Sequence, residues 1–248
     1  MNQTLDDPPF DRSSDVGVAC APVPLRVKRI EVSWLVALVA LATGFCMVTA
    51  VDLLSASVLL SGTACVGLIA LGRKEGYLVG LYNSIAYAWI AQQNGLYGEV
   101  ALNLAFYLPT GVLGYVLWNR RTRDRVVIMR ALTWGRRAWV VAACAGSTTA
   151  LGWLLALNPA QNTPYIDAST NVLSVIATFL MMWRYKEQWL LYILLNAISI
   201  VMWVVRWQNQ GVAGDAMVVM WCLFLINSVF GYWRWSLGAR AARVEVGR

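Results

Sequence analysis

YKEQWLLYILLNAIS, residues 185–199, is apolar over most of its length yet holds Gln188, Trp189, Tyr192, Asn196 and Ser199. The apolar run continues to about residue 206. That is the length an α-helix needs to cross roughly 30 Å of hydrocarbon. On such a helix Trp189, Tyr192, Asn196, Ser199 and Trp203 follow one another at spacings of 3, 4, 3 and 4. They share one stripe, and leucine and isoleucine cover the rest of the surface. The stretch predicts a membrane helix with a single polar, aromatic face.

The rest of the chain agrees with a membrane setting. Of 248 residues 59% are apolar, against about 45–50% in soluble domains, and only 13% are charged, about half the usual share. Mean hydropathy is +0.57. There is too little charge to cover a soluble surface of this size, so the chain reads as a polytopic all-α membrane protein. Hydrophobic segments fall at 33–51, 54–72, 76–92, 98–118, 138–157, 167–184, 187–206 and 213–235. Strands of a membrane barrel would show shorter, alternating runs. Residues 1–25 are polar and carry Pro8, Pro9, Pro22 and Pro24, which predicts disorder. The VTA at 48–50 has the small-residue pattern of a leader cleavage site. The sequence before it is too long and too acidic for a leader, so the first segment is read as a retained helix.

The net charge of +7 is gathered in particular loops. Arg73 and Lys74 follow the second segment, seven arginines from Arg120 to Arg137 follow the fourth, and Arg184 and Lys186 follow the sixth. The loops between them, QQNGLYGE, NPAQNTPYID and QNQGVAGD, have no basic residue, and Arg206 is the one exception nearby. Alternate loops are therefore cytoplasmic, and both termini are expected inside. Basic residues dispersed in short loops argue against nucleic-acid binding. The five cysteines form no CxxC pair and histidine is absent, which points away from a metal site or a disulfide framework.

Self-comparison reveals a repeat. RKEGYL at 73–78 lies over YKEQWL at 185–190, and SAS at 55–57 over DAS at 167–169. With small gaps, GLYGE (95–99) parallels GVAGD (211–215), and GYVLW (114–118) parallels GYWRW (231–235). Apolar bias alone does not reproduce this punctuation. The organisation is a disordered cytoplasmic N-terminus (1–30), an extra transmembrane helix (31–51), a three-helix repeat (52–118) and a basic cytoplasmic loop (119–137). A linker helix (138–157), a second three-helix repeat (158–236) and a cytoplasmic tail (237–248) follow. Parallel repeats of this kind are a transporter plan, with the substrate site where the repeats meet.

Polar stripes recur in the other segments. Asn103, Tyr107, Thr110 and Gly114 share a face in the fourth, Met220, Phe224, Asn227 and Gly231 in the eighth, and Asn83 and Tyr87 stand one turn apart in the third. An amide in hydrocarbon is costly unless paired. Such amides either tie helices together or meet a ligand. Amides satisfy donors and acceptors of a neutral polar group, and aromatic faces suit a flat, cationic ring. Trp189, Trp203 and Trp221 are the tryptophans considered for a ligand; Trp118, Trp139, Trp183, Trp207, Trp233 and Trp235 read as an interfacial belt. Glu75, Glu99, Asp167, Glu187 and Asp215 all fall at segment ends, so no mid-span carboxylate is expected. That favours uncoupled transport over proton coupling. HExxH, GxSxG and phosphate-loop motifs are absent, which argues against an enzyme.

The second half, above all the run E-x-W-L-L-x-x-x-x-N-x-I-S (Glu187, Trp189, Leu190, Leu191, Asn196, Ile198, Ser199), resembles the PnuC family of vitamin transporters. GLYNSIAYAW and GLYGEVALNLAFYLPTGVLGYVLW in the first half resemble it too, so the likeness covers about 52–236. It implies a SWEET-like arrangement of three helices, a linker and three more, in a bacterial inner membrane. It implies facilitated import of nicotinamide riboside, trapped inside by phosphorylation, with no cofactor; thiamine or another vitamin or nucleoside is the alternative. Carried over residue by residue, Trp189 and Asn196 match the substrate motif, with Gln188, Tyr192 and Ser199 beside them. Asn83, Asn103, Tyr107 and Asn227 hold corresponding positions. Gly76 stands where the second half has Gln188, so an asymmetric site is expected. The extra helix is not shared by all members and is available for assembly, including a homo-oligomer. A membrane scaffold or binding subunit without transport is the reading from another class.

Overall fold

In the computed structural model, which describes residues 25–123, 126–157, 164–209 and 214–246, the chain is helical almost throughout. The helices are α1 (Leu25–Thr49), α2 (Leu53–Ala70), α3 (Glu75–Gln93), α4 (Tyr97–Ala101), α5 (Leu108–Arg120), α6 (Trp134–Ala156), α7 (Pro164–Met182), α8 (Gln188–Gln208) and α9 (Gly214–Val246). A π-helical stretch, Leu102–Tyr107, joins α4 to α5, and the three make one continuous pass. Pro109 stands at the start of α5. It has no N–H and its ring crowds the carbonyl a turn earlier, which the wider π turn accommodates.

Among the described residues, seven passes are long and apolar enough to cross a membrane. The third of the expected segments, α3, is not among them. It carries Asn83, Ser84, Gln92 and Gln93; the two mid-helix groups face protein, where Ser84 is buried and Asn83 Nδ2 donates to Val58 O at 2.8 Å, while Gln92 and Gln93 at its end are exposed.

The two triplets, α2–α3–α5 and α7–α8–α9, carry the same local devices. After α2, Gly72 (φ +72°) takes the left-handed conformation, Arg73 N–H donates to Leu68 O and Gly72 N–H to Ile69 O. After α7, Arg184 (φ +67°) does the same, with Tyr185 N–H to Leu180 O and Arg184 N–H to Met181 O. This is a Schellman cap at both ends. Tyr77 and Trp189 hold the same place in the two triplets. A Cβ on Gly114 would lie 2.4 Å from the Tyr77 ring, and one on Gly231 would lie 2.6 Å from the Trp189 ring. Between the triplets α2 packs on α9 and α5 on α7. Trp118 donates to Met181 O at 3.1 Å, and Trp235 to Ala70 O at 3.0 Å.

The segment between the triplets is more than a solvated basic loop. Thr122–Arg123 pairs with Val126–Val127 as a short hairpin. From its second strand Val127 N–H donates to Gly72 O, and beyond it Arg130 N–H donates to Arg184 O. The segment thus crosses both capped turns at one end of the bundle and buries Val127, Met129 and Leu132 there. Glu187 accepts from Arg137 at 2.8 and 3.0 Å and from Leu132 N–H at 3.0 Å.

The extra helix α1 packs on α2 and α9. Trp34 stacks on Phe230 at 4.4 Å, and Glu31 pairs with the buried Arg234. α1 begins at Leu25, so residues 25–30 are helical; the rest of the expected disordered N-terminus lies outside the described residues. α9 runs on to Val246, through most of the stretch read as a tail. The belt reading needs correction for Trp118 and Trp235. Both are fully buried because their indole N–H groups cross between triplets, whereas Trp139, Trp183, Trp207 and Trp233 are exposed.

Candidate binding cavity

Between the triplets lies a cavity of about 180 Å³, walled by α2, α3, the α4–α5 pass, α7, α8 and α9. Seven of the nine sequence-predicted residues line it: Trp189, Tyr192, Asn196 and Ser199 from α8, Asn83 from α3, and Asn103 and Tyr107 from the π-helical stretch. The 3-4-3 stripe of α8 is the cavity wall. Trp203 continues that stripe but lies outside the cavity, fully buried, where it donates to Tyr87 OH at 3.2 Å.

Two predicted residues stand elsewhere. Asn227 is outside the cavity, with both ends of its amide occupied. It accepts from Trp34 Nε1 at 3.1 Å and donates to Val66 O at 2.8 Å, so it ties α9 to α1 and α2. The face that α9 turns to the cavity is Met220, Trp221, Phe224 and Ser228, which keeps Met220 and Phe224 of the expected stripe but not Asn227 or Gly231. Gln188 is also outside, fully buried at the first position of α8, and its amide makes no hydrogen bond among the described residues.

Asn196 does both jobs that the sequence left open. It lines the cavity, and its Nδ2 donates to Ser228 Oγ at 2.9 Å, which orients the amide. Asn83 likewise spends its Nδ2 on Val58 O and Ser61 Oγ. Asn103 Nδ2 donates to Glu99 O at 2.8 Å, and Thr178 Oγ1 stands 3.3 Å from Tyr192 OH. Buried donors on the wall that make no hydrogen bond among the described residues include Tyr77 OH and Trp189 Nε1. Left dry, such groups cost free energy; a ligand oxygen would satisfy them.

Sequence reasoning missed Tyr77, Ser228 and Glu99. The repeat itself held the signal for Tyr77, which aligns with Trp189. Glu99 falls at a segment end, as the sequence placed it, and it also lines the cavity, on the same pass as Asn103 and Tyr107. Among the described residues no lysine or arginine lines the cavity. The wall therefore offers flat aromatic faces, oriented amides and hydroxyls, and one carboxylate. That suits a small, planar, polar ligand carrying positive charge.

A bundle of membrane-length helices enclosing a polar cavity is an architecture suited to a small-molecule transporter. Residues 52–237 match the model of the nicotinamide mononucleotide transporter family, and the chain belongs to that family. It is similar to the nicotinamide riboside transporter PnuC of Neisseria mucosa, 34% identical over 71% of this chain and 69% of that protein. It is similar to the protein of the same name from Haemophilus influenzae, 33% identical over 71% of this chain and 76% of that one. The fold matches a crystal structure of the vitamin B3 transporter PnuC, with a TM-score of 0.76 and 31% identity, over 85% of this chain and 92% of that chain. The chain is a transporter, not an enzyme.

Proposed function

We propose that the chain imports nicotinamide riboside by facilitated diffusion. The family description names a mononucleotide, while the relatives are named for the riboside. The two molecules differ by a phosphate. The observation that carries the choice is the cavity wall, which has Glu99 and, among the described residues, no basic side chain. A phosphate there would meet a carboxylate and no cation, in a site where desolvating its charge is costly. The riboside keeps only the positive pyridinium, which the aromatic walls and Glu99 favour. Its carboxamide and ribose hydroxyls fit the amides and the unsatisfied Tyr77 and Trp189 donors.

Glu99 in the cavity removes the sequence argument for uncoupled transport, but the substrate's own charge supplies another. A monovalent cation moving to the negative side of a membrane gains about 2.3 kcal/mol per 100 mV, so no second ion is required. Phosphorylation inside the cell then gives a product the cavity rejects, which traps it. Both termini lie on the cytoplasmic side in this reading, from the basic loops. The reciprocal contacts of the two triplets support a parallel, SWEET-like repeat whose halves rock about the cavity.

Purified protein in liposomes is expected to admit labelled nicotinamide riboside with no ion gradient, faster under an inside-negative potential, and to exclude the mononucleotide. Uptake that requires a proton gradient, or equal uptake of the mononucleotide, would overturn the proposal. Thiamine, another cationic vitamin, belongs in the same panel as the competing substrate.

A further inference from the structure

Asn103 and Asn196 line the cavity, and the partner of each settles which end of its amide is spent. An amide donates only from Nδ2 and accepts only at Oδ1. Asn103 Nδ2 stands 2.8 Å from Glu99 O. A backbone carbonyl only accepts, so this amide loses its bond if it turns end for end. Asn196 faces a hydroxyl instead, 2.9 Å away on Ser228. A hydroxyl has one proton, and Ser228 gives its own to Phe224 O at 2.8 Å. The Ser228 oxygen is left to accept, and Asn196 must turn Nδ2 toward it.

The Oδ1 atoms are what remains. Neither accepts a hydrogen bond among the described residues, and neither is sealed off as Tyr77 OH is. Both residues are otherwise buried, so these oxygens open onto the cavity that the residues line.

We propose that Asn103 and Asn196 form an acceptor surface that selects a ligand carboxamide by its N–H groups, and that Ser228 is the positioning residue that makes Asn196 an acceptor. This rests on the nicotinamide riboside reading and deepens it. Ribose hydroxyls both donate and accept, so they suit either end of an amide and do not discriminate. The carboxamide nitrogen only donates. A ring that carries a methyl in its place leaves the asparagine oxygens without a donor, and one that carries a carboxylate sets oxygen against oxygen. A site built to bond a substrate N–H rejects the analogue that lacks it, because its own polar groups are left unpaired.

The test is titration calorimetry of the purified protein with nicotinamide riboside and with 3-acetylpyridine riboside. The second keeps the ring, its charge and the ribose, and replaces the amide nitrogen by a methyl carbon. The wild type is expected to prefer the carboxamide by about tenfold or more. In Ser228→Ala the Asn196 amide is released to turn, and the preference is expected to fall several-fold; in Ser228→Thr, which keeps the hydroxyl, it persists. Loss of packing alone would weaken both ligands alike and leave their ratio unchanged. A Ser228→Ala protein that keeps the full preference therefore overturns the proposal. If Ser228→Ala binds neither ligand, Asn196→Asp decides. Both its carboxylate oxygens accept, so the preference should survive there, and equal binding of the two ligands overturns the proposal. A wild type that binds both ligands equally refutes the acceptor surface alone, whereas a wild type that binds neither refutes the substrate reading as well.

Discussion

Trp118 and Trp235 meet with their ring centroids 5.7 Å apart, and each donates its indole N–H to the end of the first helix in the other triplet. Each is the last residue of the same five-residue motif, GYVLW or GYWRW. The two bonds cross between triplets in opposite directions, so neither triplet can shift there without breaking one or both. Trp118→Phe and Trp235→Phe should each leave a backbone carbonyl without its partner. Each is expected to cost about 0.5–2 kcal/mol of stability, the range for polar contacts between membrane helices. Thermal unfolding in detergent measures this. Because the rings touch, the double variant should depart from the sum of the singles, and strict additivity would show that the pair is not coupled.

Gly231 and Trp189 make a second test. An added Cβ at 231 would sit 2.6 Å from the indole, so the ring must move, and the cavity is on its other side. Gly231→Ala is expected to lower nicotinamide riboside affinity about tenfold, in line with overpacking penalties of about 1–3 kcal/mol. Gly146→Ala on α6, where a Cβ meets nothing within 4 Å, is the control and should bind as the wild type does. Equal affinity in both variants would show that the Trp189 position is immaterial to binding.

Much of this was legible in the sequence, and the failures have physical reasons. The 3.6 period of α8 identified four cavity residues because a single helix face needs only local geometry. RKEGYL and YKEQWL fall at two turns that are capped alike, because a helix end with a left-handed residue closes through the same pair of backbone bonds. Asn227 was misplaced because its partner Trp34 comes from 193 residues away, on a helix outside the repeat. Glu99 was placed at a segment end, and its place on the cavity wall was not legible because distance from a segment's centre says nothing about where a pass enters the bundle. Trp118 and Trp235 looked interfacial because position along a helix does not reveal which side is covered by a neighbour.

Asp52 gives a pH dependence. It caps α2, accepting from Ser55 N–H at 3.0 Å and from the Ser55 hydroxyl. Burial pushes its carboxyl up, but the Ser55 hydroxyl and the backbone N–H groups outweigh it, and the net shift is downward from 3.8. A depressed folded pKa means the cap's contribution is present above the unfolded value and is lost as pH falls through the folded one. Melting temperatures of wild type and Asp52→Ala should differ at pH 6, with the variant lower. The gap should close as pH falls below about 4, the ordinary range for an aspartate. A gap independent of pH would mean that the carboxylate charge contributes nothing to the cap.

Asn196 and Asn227 are both buried asparagines on the last two helices, and the structure separates their roles. Asn196 lines the cavity while donating to Ser228, whereas Asn227 bridges Trp34 and Val66 O behind it. Asn196→Ala is expected to weaken nicotinamide riboside binding by about 1–3 kcal/mol, because ligand groups and Ser228 lose their partner. Asn227→Ala removes two interhelical bonds instead. It should lower the melting temperature, loosen α1, and leave affinity within about threefold, below the 1.4 kcal/mol that a tenfold change represents. Calorimetry and thermal unfolding on the same two preparations check both halves of the contrast. If Asn227→Ala weakens binding as much as Asn196→Ala does, the cavity boundary drawn between them is wrong.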